Sequence, residues 1–395
     1  MNVVHVIPGA GPSSFGVGPV ALNLVSEQNA AGCPAELWSL DSEADRQWSI
    51  ASSGLPSHSF RRFTASSPGV LKWSREMECT ANQEAAQISV VHQHAIWTGL
   101  SRVTSMLRER HGIPAVVTPH GALEGWALLK SRLKKKIALA LYEKNNLHQA
   151  SCLQACSEQE KEGFREYGLT NPIAVIPNGV SSAWLQSTGN AEAFRQRFNI
   201  PSDKRIMFFL SRVTPVKGLL MLLEALQTIR NLMDDWILVI AGSDEAGHQK
   251  ELQEVIRHLC LEKHICFTGL LLGQEKRDAF AAADFFVLPT KRENYGLVVA
   301  EALGVGVPVL TTKGAPWETL VTAKCGWWAD VDTDAIAEAL KCAMSCAPNE
   351  LQCMGQRGKE LVATRYTWDQ SARLTIELYE WLLQRREIPD FVSIS

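Results

Sequence analysis

The stretch Leu288-Pro-Thr-Lys-Arg-Glu-Asn-Tyr-Gly-Leu-Val-Val-Ala-Glu-Ala-Leu303 carries two glutamates, Glu293 and Glu301, on either side of a glycine. Glu293 stands in a polar turn just after the apolar run 285–288, and Glu301 is embedded in an apolar stretch that ends at Gly304. A carboxylate among apolar residues is costly to bury unless something hydrogen-bonds it. The order reads as strand, glycine-containing turn and helix start, an architecture that holds phosphate on free backbone N–H groups. The two acids frame a helix N-terminus, one before it and one about two turns along.

The same rhythm extends outward. Runs at 205–210, 236–241, 264–268, 285–288 and 307–311 read as strands, with helical stretches at 219–231, 249–260, 275–282, 333–345, 349–364 and 368–384. In the first half, 3–7, 35–40, 89–91, 115–118 and 152–156 are short and β-rich, while 20–31 and 97–111 have helical periodicity. Residues 171–190, with Pro, Asn, Gly and Ser, read as a linker, and 388–395 as a loosely held tail. Such alternation argues for parallel sheets covered by helices, with ligand chemistry at the carboxyl ends of the strands.

With 395 residues the chain has room for two domains of ordinary size. Hydrophobic residues at 46% and charged residues at 21% suit a soluble globular protein, and a net charge of -3 gives no global basic signal for nucleic acid. The ten cysteines lack CxxC spacing. Cys152 with Cys156, and Cys342 with Cys346, read as buried thiols in a reducing compartment. The N-terminus lacks a cationic start and a long apolar region, and no apolar run reaches the roughly 18 residues of a membrane span. A cytoplasmic protein is expected, with any membrane contact peripheral.

Further strings flank the opening stretch: Phe208-Phe-Leu-Ser-Arg-Val-Thr-Pro-Val-Lys-Gly218, Val239-Ile-Ala-Gly242, Phe267-Thr-Gly269 and Gly304-Val-Gly-Val-Pro-Val-Leu-Thr-Thr-Lys-Gly-Ala-Pro-Trp-Glu318. The first half adds Thr118-Pro-His-Gly121 and Ile176-Pro-Asn-Gly-Val180. In order and spacing the whole resembles the retaining glycosyltransferases of family 4, nearly throughout the second half and sparsely in the first. The resemblance implies an α/β GT-B fold: two Rossmann-like doubly wound domains facing a central cleft, with the C-terminal helix crossing back to the first. Residues 1–180 with helix 368–386 would form the acceptor-side domain, and 181–367 the nucleotide-sugar-binding domain. Segment 118–126 and its basic helix look like bacterial cell-surface polysaccharide enzymes.

Arg212 and Lys217 follow a strand end and suit a diphosphate, the guanidinium as a fork and the ammonium as a point charge. By resemblance, Glu293 binds donor-sugar hydroxyls while backbone groups of Asn294, Tyr295, Gly296 and Leu297 cover sugar and phosphate. Glu301 would accept hydrogen bonds from the ribose, His120 would stand beside the reacting centre, and backbone at Gly242, Gly269 and Leu270 would meet the base. The blander readings make Glu293 a helix cap, Glu301 a solvated face residue and His120 a structural hydrogen-bonder.

Gly9 and Gly11 fit the first two positions of a dinucleotide fingerprint, but Ser14 takes the third, Pro12 interrupts the turn and Asp41 is too far on. Gly16 and Gly18 instead bring backbone near the diphosphate or acceptor; the family's Gly-Gly pair is here Gly-Val-Gly. His92 and His94 stand two apart, but no third metal ligand is evident. Asp330-Val-Asp332 reads as a helix cap rather than a metal site. Lys130, Arg132, Lys134, Lys135 and Lys136 form either a solvated basic face or a contact with anionic lipid, which Trp97, Trp126 and Leu128 could join. No nucleic-acid module accompanies them.

The implied activity is transfer of a sugar, with retention, from a nucleotide-diphosphate sugar to a glycan or lipid-linked acceptor in exopolysaccharide or lipopolysaccharide assembly. No metal or other cofactor is required by this reading. The alternatives are a sugar-nucleotide epimerase or hydrolase on the same fold, or a non-catalytic sugar-nucleotide-binding subunit.

Overall fold

A computed structural model of the chain describes residues 1–12, 14, 16–124, 132–186, 188–245 and 247–394, with backbone alone at 70 and 132–134. The described residues fall into two compact units, Met1–Gly179 with Trp368–Ser395, and Val180–Thr367.

The first unit is built on β1 (Val3–Ile7), β2 (Ala35–Ser39), β3 (Phe60–Arg62), β4 (Val90–His94), β5 (Ala115–Thr118), β6 (Cys152–Ala155) and β7 (Ile173–Val175). They lie in the order β7-β6-β5-β4-β1-β2-β3, all parallel, with Val392–Ser393 antiparallel on the β7 edge. A parallel sheet covered on both faces needs apolar strands throughout. β1 and β4 are wholly buried, yet carry His5, His92, Gln93 and His94. The chain order reverses between β1 and β4, the switch point at which such sheets bind ligands. Helix Trp368–Leu382 packs against helix Val17–Ala30 of this unit and buries Leu378 and Tyr379 completely.

The second unit contains β8 (Arg205–Leu210), β9 (Trp236–Ala241), β10 (Ile265–Gly269), β11 (Phe285–Leu288), β12 (Val309–Thr312) and β13 (Gly326–Ala329). Their order is β10-β9-β8-β11-β12-β13, all parallel, so the switch point falls between β8 and β11. Phe208, Phe209, Phe285 and Phe286 are fully buried where these two strands meet. Each contributes about 1.5–3 kcal/mol by leaving water, which anchors the strand ends that carry the candidate site.

Several expectations need correction. The linker at 171–190 contains β7 and a short helix, Ser182–Leu185. The tail is held, since Val392 is buried and Val175 N–H donates to the Phe391 carbonyl at 3.0 Å. The helix read at 97–111 starts at Ser101, because Ala95 and Trp97 have φ of 66° and break it. Cys152 and Cys156 are buried as expected, but Cys342 is exposed and Cys346 half-buried. Helix Thr333–Ser345 turns Ile336, Ala337, Leu340, Ala343 and Met344 inward, which leaves position 342 outward. Asp332 does cap that helix, accepting from Ala335 N–H at 2.9 Å, while Asp330 pairs with Lys313 at 2.7 Å.

Candidate functional site

In the second unit, the candidate residues follow β8 and β11. The chain leaves β8 through Arg212 into a tight turn, Pro215–Lys217, which ends at Gly218. Gly218 has φ of 75°, and a Cβ there would lie 1.9 Å from the Pro289 carbonyl oxygen. That close approach brings Lys217 against the loop after β11. Lys217 is 6% exposed, and its ammonium is ion-paired with the Glu293 carboxylate. A buried ammonium needs such a partner, because its desolvation otherwise costs several kcal/mol.

The loop that carries Glu293 is fixed from several sides. Lys291 N–H donates to the Val216 carbonyl at 2.8 Å and Glu293 N–H to the Gly314 carbonyl at 2.7 Å. Trp317 Nε1–H donates to the Tyr295 carbonyl at 2.6 Å, with the two rings 5.4 Å apart. Gly296, with φ of 81°, starts helix Leu297–Gly304, and no side chain caps it. Its first N–H groups carry a positive dipole end, worth about 0.3–1 kcal/mol to an anion. Asn294, Tyr295, Gly296 and Leu297 thus line up at a helix start beside the Lys217–Glu293 pair.

Glu301 lies one side of that helix and pairs with Lys276 at 2.6 Å. Lys276 stands over the Trp184 ring at 5.1 Å, and Trp184 Nε1–H donates to the Glu301 carbonyl at 2.8 Å. Arg212 faces outward and is paired with Glu245 at 2.9 Å. Gly242 and Gly269 end their strands, joined by a 2.8 Å bond from Gly242 N–H to the Gly269 carbonyl, and Leu270 is 58% exposed. Sequence reasoning missed Glu245, Lys276 and Trp184, which sit on separate elements and share no motif with their partners.

The first unit places His120 just after β5, in a turn with φ of 53°. Glu160 holds that turn by accepting from Gly121 N–H at 2.7 Å and Cys156 N–H at 2.8 Å. His94, at the end of β4, lies 3.1 Å from His120, and His5 on β1 lies 2.9 Å from His94. Burial lowers the pKa of His5 and His120 to about 4 and those of His92 and His94 well below 6.5. The expectation that no third ligand accompanies His92 and His94 is overturned by His5. The ligating atoms of the three lie within 4.8 Å of one another. Gly16 starts helix Val17–Ala30, but Gly18 is closed in: a Cβ there would meet Ser14 Oγ at 1.9 Å. Asp41 accepts from Ala10 N–H at 2.7 Å and so occupies part of the glycine loop.

In the basic segment, Lys130, Trp126 and Leu128 lie outside the described residues, as do the side chains of Arg132 and Lys134. Lys135 Nζ stands 5.5 Å over the Trp97 ring, Lys136 is exposed, and Leu141 is 74% exposed beside Ile137. Among the described residues no helix is long and apolar enough to cross a membrane.

Comparison with known proteins adds to this geometry. The family model for glycosyl transferases group 1 matches residues 190–361, and that for the glycosyl transferase 4-like domain matches 15–179. A GDP-mannose-dependent alpha-(1-6)-phosphatidylinositol monomannoside mannosyltransferase of Mycolicibacterium smegmatis is 28% identical over 309 residues, 74% of this chain and 77% of that protein. A sucrose-phosphate synthase from Thermosynechococcus elongatus superposes with a TM-score of 0.76 at 20% identity, covering 98% of this chain and 100% of the other. The Anabaena protein HepE in complex with UDP gives 0.77 at 18% identity, covering 96% and 100%. At such identities these two structures speak for the fold.

Proposed function

The chain belongs to the GT-B glycosyltransferases of family 4, and on that premise we propose that it moves a sugar, with retention, from a nucleotide-diphosphate sugar to a glycan or lipid-linked acceptor. One observation carries this reading: a buried lysine and a glutamate meet at the switch point of the second sheet, beside an uncapped helix N-terminus. In this account the second unit binds the donor and the first serves the acceptor side. Lys217 leaves Glu293 for the diphosphate oxygens, and Arg212 leaves Glu245 to join it. Glu293, released, accepts hydrogen bonds from donor-sugar hydroxyls, and Glu301 from the ribose. Backbone N–H groups at 294–297 meet the phosphate, while backbone at Gly242, Gly269 and Leu270 meets the base. Gly16 remains open to a ligand.

The chemistry is a same-face displacement. The bond from the anomeric carbon to the phosphate oxygen breaks, and a bond to the acceptor oxygen forms on the same side. The acceptor's proton passes to the departing phosphate. Preorganised positive charge stabilises that leaving group. We read the reaction as metal-independent, since Lys217, Arg212 and the helix start supply that charge. The exposed Lys136, Ile137 and Leu141 support peripheral contact with anionic lipid on the cytoplasmic side, in the assembly of a surface polysaccharide or lipopolysaccharide.

Incubation with UDP-, GDP- and ADP-sugars tests the reading. Slow release of nucleotide from one donor, faster with an acceptor, is expected. An isomerised donor would reveal an epimerase, and binding without turnover an inert subunit; either result contradicts the proposal.

A further inference from the structure

His120 is the outer end of a buried line of polar side chains. Its Nε2 lies 3.1 Å from His94 Nδ1, His94 Nε2 lies 2.9 Å from His5 Nδ1, and His5 Nε2 lies 2.8 Å from Gln28 Oε1. Gln28 Nε2 lies 3.4 Å from Tyr379 Oη, which lies 2.6 Å from His92 Nδ1. The line ends where His92 Nε2 meets Thr118 Oγ1 at 2.7 Å, on the strand that leads into His120. Every member inward of His120 is at most 2% exposed. β1, β4, β5, helix Val17–Ala30 and helix Trp368–Leu382 each contribute to it.

With one proton on each ring, every bond of the line must run in the same sense. A neutral imidazole carries one N–H and one lone pair. Burial keeps all four rings neutral near pH 7. The Gln28 amide sets the direction: its oxygen faces His5 Nε2 at 2.8 Å and its nitrogen faces Tyr379 Oη at 3.4 Å, so the amide donates to the phenol oxygen and the phenol hydroxyl is left to donate to His92 Nδ1, 2.6 Å away. Tyr379 therefore donates to His92, which donates from Nε2 to Thr118. At the other end of the same amide, the Gln28 carbonyl accepts from His5. His5 then donates from Nε2 and accepts at Nδ1, His94 does the same, and His120 donates from Nε2. Each ring holds one proton. His120 Nδ1, which has no hydrogen-bond partner among the described residues, is left with a bare lone pair.

The geometry thus points to a role that we propose for Gln28, Tyr379, His5 and His94: they are positioning residues that lock His120 in the Nε2–H tautomer, so that Nδ1 accepts a hydrogen bond from a ligand hydroxyl. Only its meaning for turnover rests on the glycosyltransferase reading. The three inner histidines have the spacing of a metal site, but all six of their ring nitrogens are already engaged in the line.

Long-range proton–nitrogen NMR of protein with isotope-labelled histidine rings reads the tautomers directly, with His120 assigned by its loss in His120→Asn. His120 is expected as a single form, Nε2 protonated and Nδ1 bare. Tyr379→Phe removes the acceptor that orients the Gln28 amide, and Gln28→Leu removes the amide; in each a second His120 form with a protonated Nδ1 should appear. With a nucleotide sugar that the native protein hydrolyses, both variants should lower kcat about tenfold or more, as when partners that orient a functional imidazole are lost. A protonated Nδ1 in the native protein, a tautomer unmoved in the folded variants, or a stoichiometric metal in the purified protein would overturn the proposal. The predicted tautomers without turnover of any donor would leave it standing and remove the glycosyl-transfer reading instead.

Discussion

Lys217 and Glu293 neutralise each other in a largely buried setting, and in the proposed reaction each exchanges the other for ligand. Lys217→Ala and Glu293→Ala should each cut donor turnover at least ~100-fold, the scale of losing one preorganised electrostatic contact; steady-state rates near the native value would contradict both roles. Arg212 is held instead by an exposed partner, Glu245. An exposed pair is weak, so Glu245→Gln should tighten donor binding by no more than about fivefold, read by calorimetry, and weaker binding would count against Arg212 as a phosphate ligand. The two glutamates and Lys217 were legible in the sequence because they sit at fixed spacings around strand ends and glycines. Lys276 on Glu301, Asp41 on the glycine loop and His5 beside His94 were not, because tertiary contact alone brings them together.

At the scale of elements, the turn from Pro215 to Gly218 and the loop from Pro289 to Gly296 act as one clamp. Gly218→Ala would force a Cβ against the Pro289 carbonyl in a left-handed conformation. It should cost about 1–3 kcal/mol in urea unfolding and also reduce turnover, since Lys217 moves with the turn; unchanged stability would show that the two loops can part freely. Strands of four or more apolar residues, such as β8, β9 and β11, were readable from pattern. β3, β7 and Val392–Ser393 were not, because two or three residues carry no periodicity, and prolines beside β7 imitate a linker. The apolar positions 137 and 141, which follow the basic run, are both exposed. Sedimentation with anionic vesicles should therefore show salt-sensitive binding that Leu141→Asp reduces, and indifference to lipid charge would contradict membrane contact.

For the whole molecule, the buried histidines tie stability to pH. Their folded pKa values lie below the ordinary 6.5, at about 4 for His5 and His120. The unfolded chain therefore takes up protons first, and stability present above pH 6.5 is lost as pH falls towards 4. The buried carboxyls of Glu143 and Glu160, raised by desolvation, act in the opposite sense. Urea midpoints across that window should fall with pH, less steeply in His5→Phe than in the native protein; equal slopes would contradict a neutral buried ring. The central claim is that the second unit grips a nucleotide diphosphate through Lys217 and Glu293. Isothermal calorimetry with a panel of UDP-, GDP- and ADP-sugars tests it most directly. Binding of at least one donor, lost in Lys217→Ala, is the predicted result; no binding of any donor, or binding undiminished by that substitution, would contradict it.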